Sequence, residues 1–77
     1  MNKFVNPDSG TTTIMANGQP RSVKAGSTIA DLLQELNIAP THVVAQLDGV
    51  IVSQSEFDKA VLRGGCKLEI VTLVGGG

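Results

Sequence analysis

The chain has no tryptophan or tyrosine and only two phenylalanines, so it lacks the aromatic platforms on which nucleic-acid bases stack. Its six basic residues, Lys3, Arg21, Lys24, Lys59, Arg63 and Lys67, are scattered and outnumbered by seven acidic ones, giving a net charge of −1. With no basic stripe to meet phosphates, nucleic acid is not an expected partner. No apolar run approaches the length of a membrane span, and the N-terminal stretch through Pro7 has no apolar centre of the kind a signal peptide needs. A membrane partner is therefore not expected, and the expected location is the cytoplasm. The single cysteine, Cys66, rules out a disulfide within the chain and fits a reducing compartment. The single histidine, His42, has no Ser, Cys or Asp at a recognisable spacing, so neither a catalytic triad nor a metal site is expected. Seventy-seven residues suit one small domain that buries about 60% of its unfolded surface, which leaves no room for an enclosed substrate pocket. No catalytic residue is assigned, and the chain is not expected to be an enzyme.

What the chain does have is an unusual end. A strand-like run from Lys67 to Leu73 leads directly into Val74-Gly75-Gly76-Gly77. Three residues without side chains make a thin segment able to enter a channel that any Cβ would block. The only chemical group they offer is the α-carboxylate of Gly77. A carboxylate becomes attackable by sulfur, nitrogen or oxygen only after its oxygen is made a leaving group, as in a mixed anhydride with AMP. That step needs a separate nucleotide-binding enzyme.

Three segments follow from local signals: a flexible leader over 1–11, a folded domain over 12–73 and a Gly-rich tail over 74–77. The leader contains Asn6-Pro7-Asp8-Ser9-Gly10, a cluster of turn formers without periodicity. Thr12 to Ala16 is rich in β-branched residues, Asn17-Gly18 supplies the positive φ values of a tight turn, and Arg21-Ser22-Val23 returns as a second strand. Thr28 is a good N-cap with Asp31 three residues on, and Ile29, Leu32, Leu33 and Leu36 form one apolar stripe of a helix of about three turns, stopped by Asn37 and Pro40. Val43 to Leu47 alternates as a third strand, Asp48-Gly49 turns, and Val50 to Val52 forms a short fourth. A helical turn is expected around Phe57, and Gly64-Gly65 leads into the last strand, Cys66 to Leu73. Strand, strand, helix, strand, short strand, strand is an α+β order with one helix packed on one face of a mixed sheet of four to five strands.

From Thr13 to Gly77 the chain resembles the ThiS family of bacterial sulfur carriers in thiamine biosynthesis, which have the ubiquitin-like β-grasp fold. The matching pieces are Ile14-Met15-Ala16-Asn17-Gly18, Gly26-Ser27-Thr28-Ile29 with Leu32-Leu33, Asp48-Gly49 with Ile51-Val52, Leu62-Arg63-Gly64-Gly65, and Leu68-Glu69-Ile70-Val71 ahead of the terminal glycines. The resemblance implies a cycle in which a ThiF-like adenylyltransferase, using ATP and magnesium, makes an acyl-adenylate at Gly77. A persulfide sulfur donor then displaces AMP to leave a thiocarboxylate, which gives its sulfur to thiazole synthase, ThiG. By the same carry-over, Gly75 and Gly76 provide the slender approach, and this chain binds no cofactor of its own. The chain departs from the family at Ser53-Gln54, where Pro-Arg is common, at Gly65-Cys66, where Gly-Asp is common, and in its leader of about a dozen residues.

Alternation along the last strand puts Lys67, Glu69, Val71 and Leu73 on the side away from the core, so polar character gives way to apolar towards the tail. In a β-grasp sheet the first strand lies beside the last, and Met15 is expected to join Val71, Leu73 and Val74 in a partner-docking surface. Cys66 reads as a small buried hydrophobe rather than a persulfide carrier. Two alternatives to the thiamine carrier are a carrier feeding molybdopterin and a β-grasp binding module whose terminus does no chemistry.

Overall fold

The computed structural model describes residues 10–73 of the chain. Five strands form one sheet in the order β2-β1-β5-β3-β4: β1 is Thr11–Ala16, β2 Gln19–Lys24, β3 Val43–Leu47, β4 Val50–Val52 and β5 Lys67–Thr72. The β1–β5 pair is parallel and every other pair is antiparallel. One helix, α1 (Ile29–Glu35), joins the two hairpins. This is the ubiquitin-like β-grasp arrangement, with the last strand at the centre of the sheet.

Both hairpins turn through an Asx-Gly pair with positive φ: Asn17 at 51° and Gly18 at 81°, Asp48 at 51° and Gly49 at 86°. These values match the right-handed twist of the flanking strands, which is why Asn-Gly and Asp-Gly head two-residue hairpins. The helix begins with a full capping box. The Asp31 amide donates to Thr28 Oγ1 at 3.2 Å and the Thr28 amide donates to Asp31 Oδ2 at 3.0 Å. The next orphan amides are met from afar: Ile29 donates to the Ala60 carbonyl and Ala30 to the Phe57 carbonyl, both at 3.0 Å. The expected turn around Phe57 is thus a 3-10 turn (Gln54–Glu56) whose continuation closes the helix N-terminus, with the Phe57 ring buried beneath it.

The helix is shorter than its apolar spacing predicts. It runs seven residues, two turns rather than three, and Leu36 is its C-cap at 37% exposure. Asn37 follows at φ 60°, the left-handed residue that ends the helix. Strand β1 starts at Thr11, one residue inside the stretch assigned to the leader, while the rest of that leader up to residue 9 and the tail over 74–77 lie outside the described residues.

The core lies between α1 and one sheet face. Ile14, Ile29, Leu32, Leu33, Leu62 and Leu68 are shut off from solvent, joined by Val23, Val43, Ala45, Phe57 and Cys66. Gly64 sits where a Cβ would come within 2.7 Å of Thr12 Oγ1, so any larger residue there must displace that side chain.

Candidate functional site

Because β5 is central, its start is held from both sides. The Met15 amide donates to the Cys66 carbonyl at 2.9 Å and the Asn17 amide to the Leu68 carbonyl at 2.8 Å on one flank. On the other, Lys67 and Asp48 exchange two bonds: the Asp48 amide donates to the Lys67 carbonyl at 2.8 Å, and the Lys67 amide donates to Asp48 Oδ1 at 2.9 Å. The acidic turn residue of the second hairpin therefore doubles as a clamp on the strand that carries the tail.

Further along, β1 has already turned away, and the asparagine of the first hairpin takes its place. The Ile70 amide donates to Asn17 Oδ1 at 2.7 Å, and Asn17 Nδ2 donates to the Ile70 carbonyl at 3.1 Å. A side-chain amide carries the same donor and acceptor as a peptide group, so Asn17 adds one more rung to the ladder. On the opposite flank β3 continues to the end: Val44 pairs with Val71, Val43 with Thr72, and the Leu73 amide donates to the His42 carbonyl at 2.7 Å. His42 itself is exposed, in a 3-10 turn (Pro40–His42).

The sheet face away from α1 is polar where β5 begins and apolar where it ends. Lys67, Glu69 and Gln46 occupy the first part, and Val71 (60% exposed), Leu73 (52%) and Val44 (39%) the last. Val44 is a member that sequence reasoning missed; its signal was the Val43-Val44 pair, where only one valine can face the core. Met15 does sit on this face and is half-buried, but its partner across β1–β5 is Lys67. That places it four residues, about 13 Å, up the strand from Val71. Met15 is therefore not adjacent to the Val71–Leu73 patch. Val74, Gly75, Gly76 and Gly77 lie outside the described residues, and the patch stands at the base from which they continue.

Cys66 is buried, as a small hydrophobe would be. Burial pushes its thiol above the ordinary range; a main-chain hydrogen bond from Arg63 pulls the other way and the charge of Asp48 adds to the rise. A thiol held neutral is a poor nucleophile. Among the described residues no group of His, Cys, Asp and Glu side chains could hold a metal ion, and no helix is long and apolar enough to cross a membrane. Of the two family departures inside the domain, Ser53 stands at the N-cap position of the 3-10 turn without a side-chain cap hydrogen bond, and Gly65 takes φ 83° just ahead of buried Cys66.

A ubiquitin-like domain whose central strand leads to its C-terminal end is the class these features define. The chain matches the ThiS family over residues 14–77, and it belongs to that family. It is 34% identical over 64 residues to thiazole synthases of Magnetococcus marinus and Paramagnetospirillum magneticum. Those 64 residues are 83% of this chain and 20% of each synthase, so the chain spans about a fifth of the length of these relatives. Among solved structures it is similar to the thiamine biosynthesis protein ThiS of Geobacter metallireducens, in the crystal (TM-score 0.72, 26% identity) and in solution (TM-score 0.68). The crystal match covers 86% of this chain and all of that one; the solution match covers 86% and 88%.

Proposed function

We propose that this chain is a sulfur carrier for thiazole formation in thiamine biosynthesis, a protein cosubstrate rather than an enzyme, with Gly77 as the acyl group that bears the sulfur. The observation that carries this reading is the construction of β5. It is clamped on both flanks at Lys67–Ile70, and the chain runs from its end, through an exposed apolar base, into Val74-Gly75-Gly76-Gly77.

In the proposed cycle the Gly77 carboxylate attacks the α-phosphate of ATP in an adenylyltransferase with magnesium, releasing pyrophosphate. A persulfide sulfur displaces AMP from the acyl-adenylate, and a second thiol cleaves the resulting acyl disulfide to leave the thiocarboxylate. ATP and metal belong to the activating enzyme, so this chain's share is presentation. Glycines at 75 and 76 add no side chain beside the reacting carbonyl, and Val44, Val71 and Leu73 offer an apolar seat for the enzymes that receive it.

The thiazole synthase relatives support that synthase as the sulfur acceptor, since a carrier-like stretch and a thiazole synthase occur there in one chain. This favours the thiamine carrier over the molybdopterin carrier and over a binding module. The test is reconstitution of thiazole formation with thiazole synthase, adenylyltransferase, ATP, magnesium and a persulfide donor. Deleting Gly77 should abolish product and leave the melting temperature within a degree or two, because residues beyond the packed strand contribute little stability. Full product from the deleted chain would overturn the proposal.

A further inference from the structure

On the helix side of the sheet, at the end where the tail departs, lies a cleft of about 280 Å³. Ala16, Leu32, Leu36, Ile38 and Ile70 give it an apolar floor, and Arg21, Asn17 and Thr72 give it its polar groups. Arg21 is opposite Ile14 in the β1–β2 register, so it lies on the core side of the sheet, with Leu32 and Leu36 lining the same space. Its Nε is closed off from solvent and has no hydrogen-bond partner among the described residues. The residue as a whole is half-buried and lines the cleft, so an acceptor entering from outside meets the guanidinium at its Nη atoms rather than at the sealed Nε.

The same cleft has a second polar feature, further along the sheet on β5. Along β5 the peptide groups of Cys66, Leu68 and Ile70 face the β1 flank, and Asn17 supplies the last rung at Ile70. By the same alternation the Thr72 peptide group faces that flank, past the reach of β1, and no described residue bonds to it. One cleft thus combines an unpaired strand edge, a cation and apolar side chains.

We propose that this cleft takes an extended acidic segment of the thiazole synthase, with an Asp or Glu carboxylate on Arg21, an apolar neighbour on Leu36 and Ile38, and a main-chain bond to Thr72. Charge complementarity selects the occupant: a planar carboxylate matches the guanidinium fork, and apolar walls around it strengthen the pairing. The strand edge favours an extended backbone. The cleft lies on the face opposite Val71 and Leu73, so the synthase would hold the tail's base from both sides of the sheet. The inference rests on the thiazole synthase reading above.

The test is calorimetric titration of the full chain into thiazole synthase from the same organism, with wild type, Arg21→Met, Arg21→Lys and Leu36→Glu. Arg21→Met keeps the apolar stem and removes the charge, and should weaken binding about ten- to a hundredfold, the loss expected for a hydrogen bond to a charged group. Arg21→Lys should recover part of it. Leu36→Glu places a repelling carboxylate at the half-exposed helix cap and should weaken binding at least tenfold, as like charges in one site do, with circular dichroism and the melting temperature checking that each variant is folded. Unchanged binding of Leu36→Glu, or unchanged or tightened binding of Arg21→Met, overturns the proposal; tightening would point to the chain's own end as the occupant. If wild type itself does not bind, the thiazole synthase reading fails first and this inference with it.

Discussion

The two ends of β5 differ in kind. At Lys67–Leu68 the strand is paired to β1 and to β3, clamped by Asp48, and its Leu68 side chain is fully buried. At Val71–Thr72 it is paired to β3 alone, and both side chains are exposed. The same strand is an interior strand at its root and an edge strand at its exit. A carrier needs both properties, a rigid origin for the tail and a free surface where partners can grip it, and the early turn of β1 at Asn17-Gly18 separates them.

Removing a side chain at each end separates the two most strongly. Leu68→Ala should cost about 2–5 kcal/mol, enough to unfold much of so small a domain, whereas Val71→Ala should cost under about 0.5 kcal/mol in urea titration. Equal costs would mean the exit is as deeply packed as the root. Next in size, Gly64→Ala forces a Cβ into Thr12 Oγ1 and should cost about 1–3 kcal/mol, read as a lowered urea midpoint with unchanged slope. It should loosen the root without touching the exit.

Asn17→Gly sharpens the boundary itself. Glycine keeps the positive φ, so the hairpin survives, but the two bonds to Ile70 are lost, for about 1 kcal/mol. Hydrogen exchange at the Ile70 amide should accelerate while that at Leu68 stays slow. Smallest of all is the effect of Cys66. Since burial raises its pKa in the folded state, folding favours the neutral thiol, and the associated stability is complete below the unfolded thiol's pKa and lost as pH rises through the folded value. Alkylation by iodoacetamide near pH 8 should be slow in the native chain and fast in urea. Cys66→Ser should still form thiocarboxylate.

The sequence was most legible where structure is set locally. Both Asx-Gly turns, the Thr28–Asp31 box and the limits of β3 and β4 follow from neighbours within four residues. It was least legible where contacts join distant positions. Nothing near Asn17 announces that its side chain serves Ile70, 53 residues later. The alternation of β5 correctly placed Val71 and Leu73 away from the core, but the offset between β1 and β5, set by where the first hairpin turns, was needed to see that Met15 neighbours Lys67. Leu36 fitted the apolar stripe by spacing, yet the helix stops beneath it because Asn37 takes the left-handed conformation. Arg21 gave no signal, since a lone arginine in a strand reads as a solvated side chain until its register puts it under the helix.

The central claim is that Gly77 is the atom-bearing end of a sulfur carrier, and intact-protein mass spectrometry tests it most directly. After incubation with adenylyltransferase, ATP, magnesium and a persulfide donor, the chain should gain about 16 Da, the exchange of one carboxylate oxygen for sulfur, located by fragmentation to Gly77. A chain that keeps its original mass in that mixture, with no acceptor present, although the same mixture makes thiazole once thiazole synthase and its substrates are added, or that gains sulfur on Cys66 instead, would contradict it.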